Sequence, residues 1–268
     1  SDFDRAVDLL KERPALGIAV HGNLVEGRAL CSPSEIPSLV GPDGFFQTGF
    51  IGLWAKYLFS SPSKRKAIAN QARMEIDAQI RKVRDAFGDQ RAIGLDSHQH
   101  THMIPFLFRL FIELAERHGL CRMRVPREPF FGLIDAESLK AYAGTGIIKH
   151  LLLNYLSILQ RKRIRESDLT TARAFVGVLF TGCMTEDVVS HALKRLARRI
   201  DVESGEVEVL FHPGGAAQDE RELWEGRPEL LNFYFSSNRQ MEADALARIS
   251  LPDGFTRHYN FLIEPGNT

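Results

Sequence analysis

Cysteine is scarce: Cys31, Cys121 and Cys183 are the whole supply among 268 residues, and no two stand at C-x-x-C spacing. An odd, scattered trio argues against a disulfide framework and for a reducing compartment. Neither sign of charge is in excess, with 34 Lys+Arg against 34 Asp+Glu. That balance lacks the basic footprint a general nucleic-acid binder needs. No apolar run approaches the roughly 18 residues of a membrane span. The opening Ser1-Asp2-Phe3-Asp4-Arg5 has no signal-peptide character. Internal repeats and low-complexity tracts are missing too. A soluble, cytoplasmic, globular protein is the expectation, and its oligomeric state, a homodimer included, stays open.

What the chain does have is 44% hydrophobic residues, enough for a real core, arranged as alternating strand and helix patterns. Strands are expected near 16–20, 92–96, 121–125, 174–180 and 206–211. Between them, Ile68, Ala72, Ile76, Ile80, Val83 and Phe87 recur at helical spacing before Gly88, a natural C-cap. Pro105 opens another helix, and Thr185 caps a third. Strands separated by helices of this length imply βαβ units and a mostly parallel sheet. The pattern predicts one α/β domain over 1–268, interrupted by a helical insertion at about 133–170. Within the insertion, Leu151-Leu152-Leu153-Asn154-Tyr155-Leu156-Ser157-Ile158-Leu159 precedes Arg161, Lys162, Arg163 and Arg165. This run suits a helix packed on the domain or on a second subunit, and a membrane-surface anchor is the rarer alternative.

Chemistry in parallel α/β folds gathers at the carboxyl ends of strands. Three expected strands end in histidine: His21, His98 and His212. A fourth runs into Arg124-Val125-Pro126-Arg127-Glu128. The densest signal is Asp96-Ser97-His98-Gln99-His100-Thr101-His102. If that segment is extended, its three imidazoles share one face, and imidazole suits zinc and other divalent ions. Asp96 could be a ligand, or an acceptor that sets a ring's tautomer. Arg124 and Arg127 could anchor an oxygen-rich ligand or form structural ion pairs. Isolated histidines such as His118, His150, His191 and His258 are expected to be ordinary hydrogen-bonded groups.

At these residues the chain resembles the YdjC-like carbohydrate deacetylases, which include chitooligosaccharide deacetylase and a hopanoid-associated branch, HpnK. The matching segments are Gly17-Ile18-Ala19-Val20-His21-Gly22-Asn23-Leu24-Val25-Glu26-Gly27, Leu95 to Met103, Arg124 to Glu128, and Phe211-His212-Pro213-Gly214. Weaker ones are Phe180 to Thr185 and Arg239-Gln240-Met241-Glu242. The resemblance implies a distorted (β/α) barrel that removes N-acetyl groups from an amino-sugar-containing carbohydrate or glycolipid with a divalent metal, Mg or Zn. It implies His21 and His98 as metal ligands, with His212 and Asp96 as catalytic candidates and His212 the proton donor. Arg124, Arg127, His100 and His102 are then the substrate-binding candidates.

Two departures stand out. Relatives carry an Asp-Asp-Phe-Gly segment well upstream of the first histidine, and this chain has none there, so its first strand–helix unit is expected to be missing. A chain so shortened, either a fragment or a natural truncation that has lost a ligand, is expected to bind metal weakly and to deacetylate little or not at all. Gly22 also stands where relatives usually have a bulkier apolar residue. Two other readings remain open: a different metal-dependent hydrolase such as a phosphoesterase, and an inactive sugar-binding relative.

Overall fold

A computed structural model describes residues 2–88, 91–132, 144–198, 205–214, 221 and 228–257. The chain divides into two units. Ser1–Val125 and Leu156–Thr171 belong to the first, Pro126–Tyr155 and Ala172–Arg257 to the second.

The first unit is built on a three-stranded parallel sheet of β1 (Ile18–Gly22), β2 (Ile93–Ser97) and β3 (Arg122–Met123), in that order. Helix α1 (Asp2–Lys11) precedes β1, and α2 (Phe50–Leu58) and α3 (Pro62–Phe87) lie between β1 and β2. Ser61 accepts from the Lys64 N–H at the start of α3, and Pro62 occupies its first turn. Gly88, at φ 75°, ends it, in the left-handed region that glycine enters without strain. The periodic residues Ile68, Ala72, Ile76 and Ile80 are all buried, together with Leu107, Phe108, Phe111 and Leu114 of α4 (Pro105–Arg117). A Cβ added at Gly22 would lie 3.1 Å from Ile76 Cδ1 and from the Phe111 ring. The glycine therefore matches the close approach of these side chains to the end of β1. A larger residue there would cost about 1–3 kcal/mol in overpacking.

The register of β1 on β2 pairs His21 with Asp96 and Gly22 with Ser97. The first histidine thus stands directly beside the second motif.

The second unit holds a parallel pair, β4 (Ala174–Val176) and β5 (Val207–Val209). Its core joins Phe131, Ala174, Val176, Leu179, Met184, Val189, Leu193 and Ile249. Helices α6 (Glu186–Ala197), α7 (Pro228–Tyr234) and α8 (Asn238–Arg248) belong to it, and Thr185 caps α6 by accepting from the Val188 N–H. Strand β4 is shorter than its apolar pattern predicts. The next three amides, of Gly177, Val178 and Leu179, donate to the buried carboxylate of Glu128 instead of extending a ladder. All five strands pair in parallel where sequence placed them, each shorter than or shifted from the expected range. This α/β architecture agrees with the expected class.

Helix α5 (Thr145–Glu166) lies within the expected insertion, of which residues 133–143 fall outside the described residues. Leu153 and Leu156 are buried on it, while Ile148, Leu151, Tyr155 and Ile158 are exposed. Among the described residues no helix is long and apolar enough to cross a membrane.

Candidate active site

At the carboxyl ends of β1 and β2 two imidazoles face each other. His21 Nε2 lies 3.4 Å from His98 Nδ1, and the rings meet edge-on at 78°. The outer nitrogen of each ring is taken by a carboxylate. His21 Nδ1–H donates to Asp96 Oδ1 at 2.6 Å, and His98 Nε2–H donates to Glu26 Oε2 at 2.7 Å. With the outer nitrogens protonated, two lone pairs are left pointing at one another. Such a pair repels unless a cation, either a proton or a metal ion, lies between them.

Asp96 is buried, and its second oxygen is bound by the Arg124 guanidinium. Burial alone would raise its carboxyl. Arg124 and the His21 hydrogen bond outweigh that and hold it at about 2, so the group is an anion at neutral pH. An aspartate so engaged orients His21 and makes a poor proton acceptor. Of the two possibilities sequence left open for Asp96, the geometry favours the acceptor that sets a tautomer.

The expectation that the three motif histidines share one face does not hold. Residues His98–Met103 form a short 3-10 segment, not a strand, and both Gln99 (φ 54°) and His100 (φ 57°) are left-handed. Two consecutive non-glycine residues in that region carry a strain of about 1–3 kcal/mol each. The turn separates the rings. His98 faces His21, whereas His102 is fully buried beneath, where its Nε2–H donates to the Arg124 carbonyl at 2.9 Å. Ser97 Oγ–H donates to its Nδ1 at 2.6 Å, and the His102 backbone N–H donates back to that oxygen at 2.9 Å. Burial pushes the His102 imidazole down to about 4, so it stays neutral. With both nitrogens occupied inside the fold, His102 braces the turn and offers nothing to a substrate. His100 is buried as well, its ring centroid 6.4 Å from that of His102.

Glu26 is the residue sequence reasoning passed over. It lies in the loop after β1, which Asn23 ties by accepting from the Val25 and Glu26 amides. Gln79 of α3 exchanges two hydrogen bonds with the Asn23 backbone, each 2.8 Å. The Glu26 side chain, 7% exposed, is thereby aimed at His98. Its place in the quoted Leu24-Val25-Glu26-Gly27 run was the available signal, but nothing in spacing connects it with a histidine 72 positions away.

In the second unit, His212 follows β5. Its backbone N–H donates to Glu242, its Nδ1 lies 3.8 Å from Glu242 Oε2, and its ring packs edge-on against Phe233. Glu242 is fully buried and also accepts from the Met184 amide. Arg239, one turn before it on α8, donates to the carbonyls of Gly214 and Pro213. One helix thus holds the His212-Pro213-Gly214 loop from both ends. Arg127 Nη2 donates to the Arg173 carbonyl at 2.6 Å, a structural hydrogen bond and not the ion pair offered as its structural alternative. His118 donates to Asp77, His150 to the Glu128 carbonyl and His191 to the Phe131 carbonyl, as expected of structural histidines. His258 lies outside the described residues.

The geometry fits two positions of a metal site. Ligand nitrogens at about 2.0–2.1 Å from a tetrahedral ion stand about 3.3–3.4 Å apart, and carboxylates on the outer nitrogens are the usual support for such ligands. Among the described residues no group of three or more His, Cys, Asp or Glu is placed to hold an ion.

The model of the YdjC-like protein family matches residues 1–253. The chain is 28% identical over 213 residues to a carbohydrate deacetylase of Mus musculus, covering 76% of this chain and 63% of that one. It is 28% identical over 136 residues to a chitooligosaccharide deacetylase of Salmonella typhimurium, 51% of this chain and 48% of that protein. The matches thus span about half to two thirds of the relatives' length. A crystal structure of a proposed cellobiose-phosphate cleavage protein from Enterococcus faecalis V583 superposes with a TM-score of 0.50 at 18% identity, over 93% of this chain and 81% of that one. That likeness bears on the fold alone and is consistent with the distorted barrel. By the family match along nearly its whole length, the chain belongs to the YdjC-like family.

Proposed function

We propose that this chain carries the site of a carbohydrate N-deacetylase, hydrolysing the acetamide of an N-acetylated amino sugar with a divalent metal, Mg or Zn. The facing nitrogens of His21 and His98, each backed by a carboxylate, are the observation that carries this reading. The named relatives are carbohydrate and chitooligosaccharide deacetylases, which supports the same substrate class. When bound, a divalent ion would lower the pKa of water and polarise the acetamide carbonyl.

The protein's own residues do the rest. His21 and His98 present one lone pair each, and their hydrogen bonds to Asp96 and Glu26 hold the rings in that orientation. Asp96, kept ionised by Arg124, holds the His21 proton on Nδ1. His212, which matches the family's motif near the carboxyl end, is the proposed donor of the proton that the leaving amine needs. An imidazole can both take up and release a proton in the physiological range, which suits that role. A phosphoesterase on the same scaffold gains little from the two arginines, because Arg124 is bound to Asp96 and Arg127 to a backbone carbonyl.

The test is mass spectrometry of N-acetylated chitooligosaccharides incubated with the protein and Mg or Zn. Slow loss of an acetyl unit, abolished by His98→Ala, is expected, in keeping with the missing upstream aspartates. Acetyl loss unchanged in His98→Ala would overturn the site, and phosphate release from sugar phosphates without acetyl loss would favour the phosphoesterase.

A further inference from the structure

Glu26 is 72 positions from His98 in the chain, yet its carboxylate meets the nitrogen that faces away from His21. The consequence lies in which nitrogen each ring presents. A neutral imidazole carries one proton, and the hydrogen bond made by one nitrogen decides that the other is bare. Asp96 holds the His21 proton on Nδ1, which leaves Nε2 bare. A carboxylate on His98 Nε2 leaves the opposite atom, Nδ1, bare. The two rings therefore present different nitrogens, Nε2 from one and Nδ1 from the other, toward one point. Without Glu26, His98 would be free to put its proton on Nδ1 and donate it to His21 Nε2, 3.4 Å away. That hydrogen bond would tie the rings to each other and occupy both lone pairs.

From this we infer that Glu26 is a positioning residue: it keeps the His98 proton on Nε2 and so prevents the two histidines from bonding to each other. The loop geometry is suited to this. Asn23 accepts from the Glu26 amide, and Gln79 grips the Asn23 backbone through both its amide atoms, which anchors the turn to α3. Glu75, one helical turn from Gln79 and fully buried, accepts from Gln79 Nε2 at 2.7 Å and from the amides of Leu30 and Cys31. Residues 23–31 are thus pinned to one helix on both sides of Glu26. The carboxylate reaches His98 from a fixed direction, as a support for a ligand ring should.

The inference has two readouts, one of which is independent of the metal reading that it otherwise extends. The first is the tautomer, read on the metal-free full chain by long-range proton–nitrogen NMR of the imidazoles. Wild type should show His98 protonated on Nε2 and His21 on Nδ1, and Glu26→Leu should shift His98 toward protonation on Nδ1. Glu26→Gln, which keeps an acceptor oxygen, should retain the wild-type tautomer, and its unchanged melting temperature would separate positioning from folding. The second readout is Zn²⁺ affinity by calorimetry on the same proteins. Glu26→Leu should weaken it by about 10–100-fold, with Glu26→Gln between. A His98 tautomer unmoved in Glu26→Leu overturns the assignment of Glu26. Absence of Zn²⁺ binding in wild type, with the tautomer shift still seen, overturns the metal reading and leaves Glu26's role intact.

Discussion

Asp96 in the first unit and Glu128 in the second are both buried carboxylates beyond the reach of bulk water, yet their protonation is pushed in opposite directions. Asp96 has a guanidinium and an imidazole N–H on its oxygens, and they overcome burial to hold it at about 2. Glu128 has three backbone amides, and Lys149 and His150 nearby, and burial still lifts it to about 7. Lys149 is itself pushed down by burial, which limits what it lends. Amide dipoles satisfy hydrogen bonds but return only part of the solvation a full charge loses, whereas a directly bonded cation returns most of it. The first unit thus keeps a permanent anion behind its histidine. The second uses a carboxylate chiefly to shape the loop after β4.

The sharpest way to break this contrast is Arg124→Leu. It leaves Asp96 buried without its cation, and the expected loss of stability at neutral pH is about 3–5 kcal/mol, read from urea unfolding. The loss should shrink in acid, where Asp96 gains a proton. A cost below about 1 kcal/mol would mean that Asp96 does not depend on the guanidinium.

Next in size is the pH dependence of Glu128. Its folded pKa lies above the ordinary carboxylate value of 4.5, so its stabilising contribution is full below that value and is lost as pH rises through about 7. The difference in unfolding free energy between wild type and Glu128→Gln should therefore move by about 2–3 kcal/mol against wild type between pH 5 and pH 8. Asp96 has the opposite sign: its contribution is present above the ordinary 3.8 and lost as pH falls through about 2. A Glu128→Gln variant whose stability tracks that of wild type from pH 5 to pH 8 would remove Glu128 from the contrast.

The smallest expected effect comes from Ser97→Ala. It strips the donor from buried His102 Nδ1 and the acceptor from the His102 amide, at a cost of about 1–2 kcal/mol in thermal or urea unfolding. Because His102 is already neutral by burial, the change should be flat with pH above about 6. A pH-dependent loss in that range would show His102 carrying a proton.

Much of the fold was legible in the chain. Helical spacing from Ile68 to Phe87 found α3 with its Gly88 cap, Pro105 found α4, and Thr185 found α6. Strand lengths were overestimated. An apolar run such as 174–180 predicts burial, and burial is what Leu179 and Phe180 have, but in a loop organised by Glu128 and not in a ladder. The candidate site was half legible. His21 and His98 stand out at strand ends, whereas Glu26 looks like any loop glutamate. The alternation of His98, His100 and His102 suggested an extended segment, because sequence carries no mark of the left-handed turn at Gln99 and His100.

Local chemistry and periodicity, then, are what the sequence determined by itself: where strands and helices start, which faces are apolar, and that histidines end β1 and β2. Tertiary structure alone decided which imidazole nitrogen faces which. A ring's tautomer depends on the partner at its far side, and here those partners, Asp96 for His21 and Glu26 for His98, lie 75 and 72 positions away along the chain. Only parallel pairing of β1 with β2, and the pinning of residues 23–31 to α3, bring them within a hydrogen bond's length.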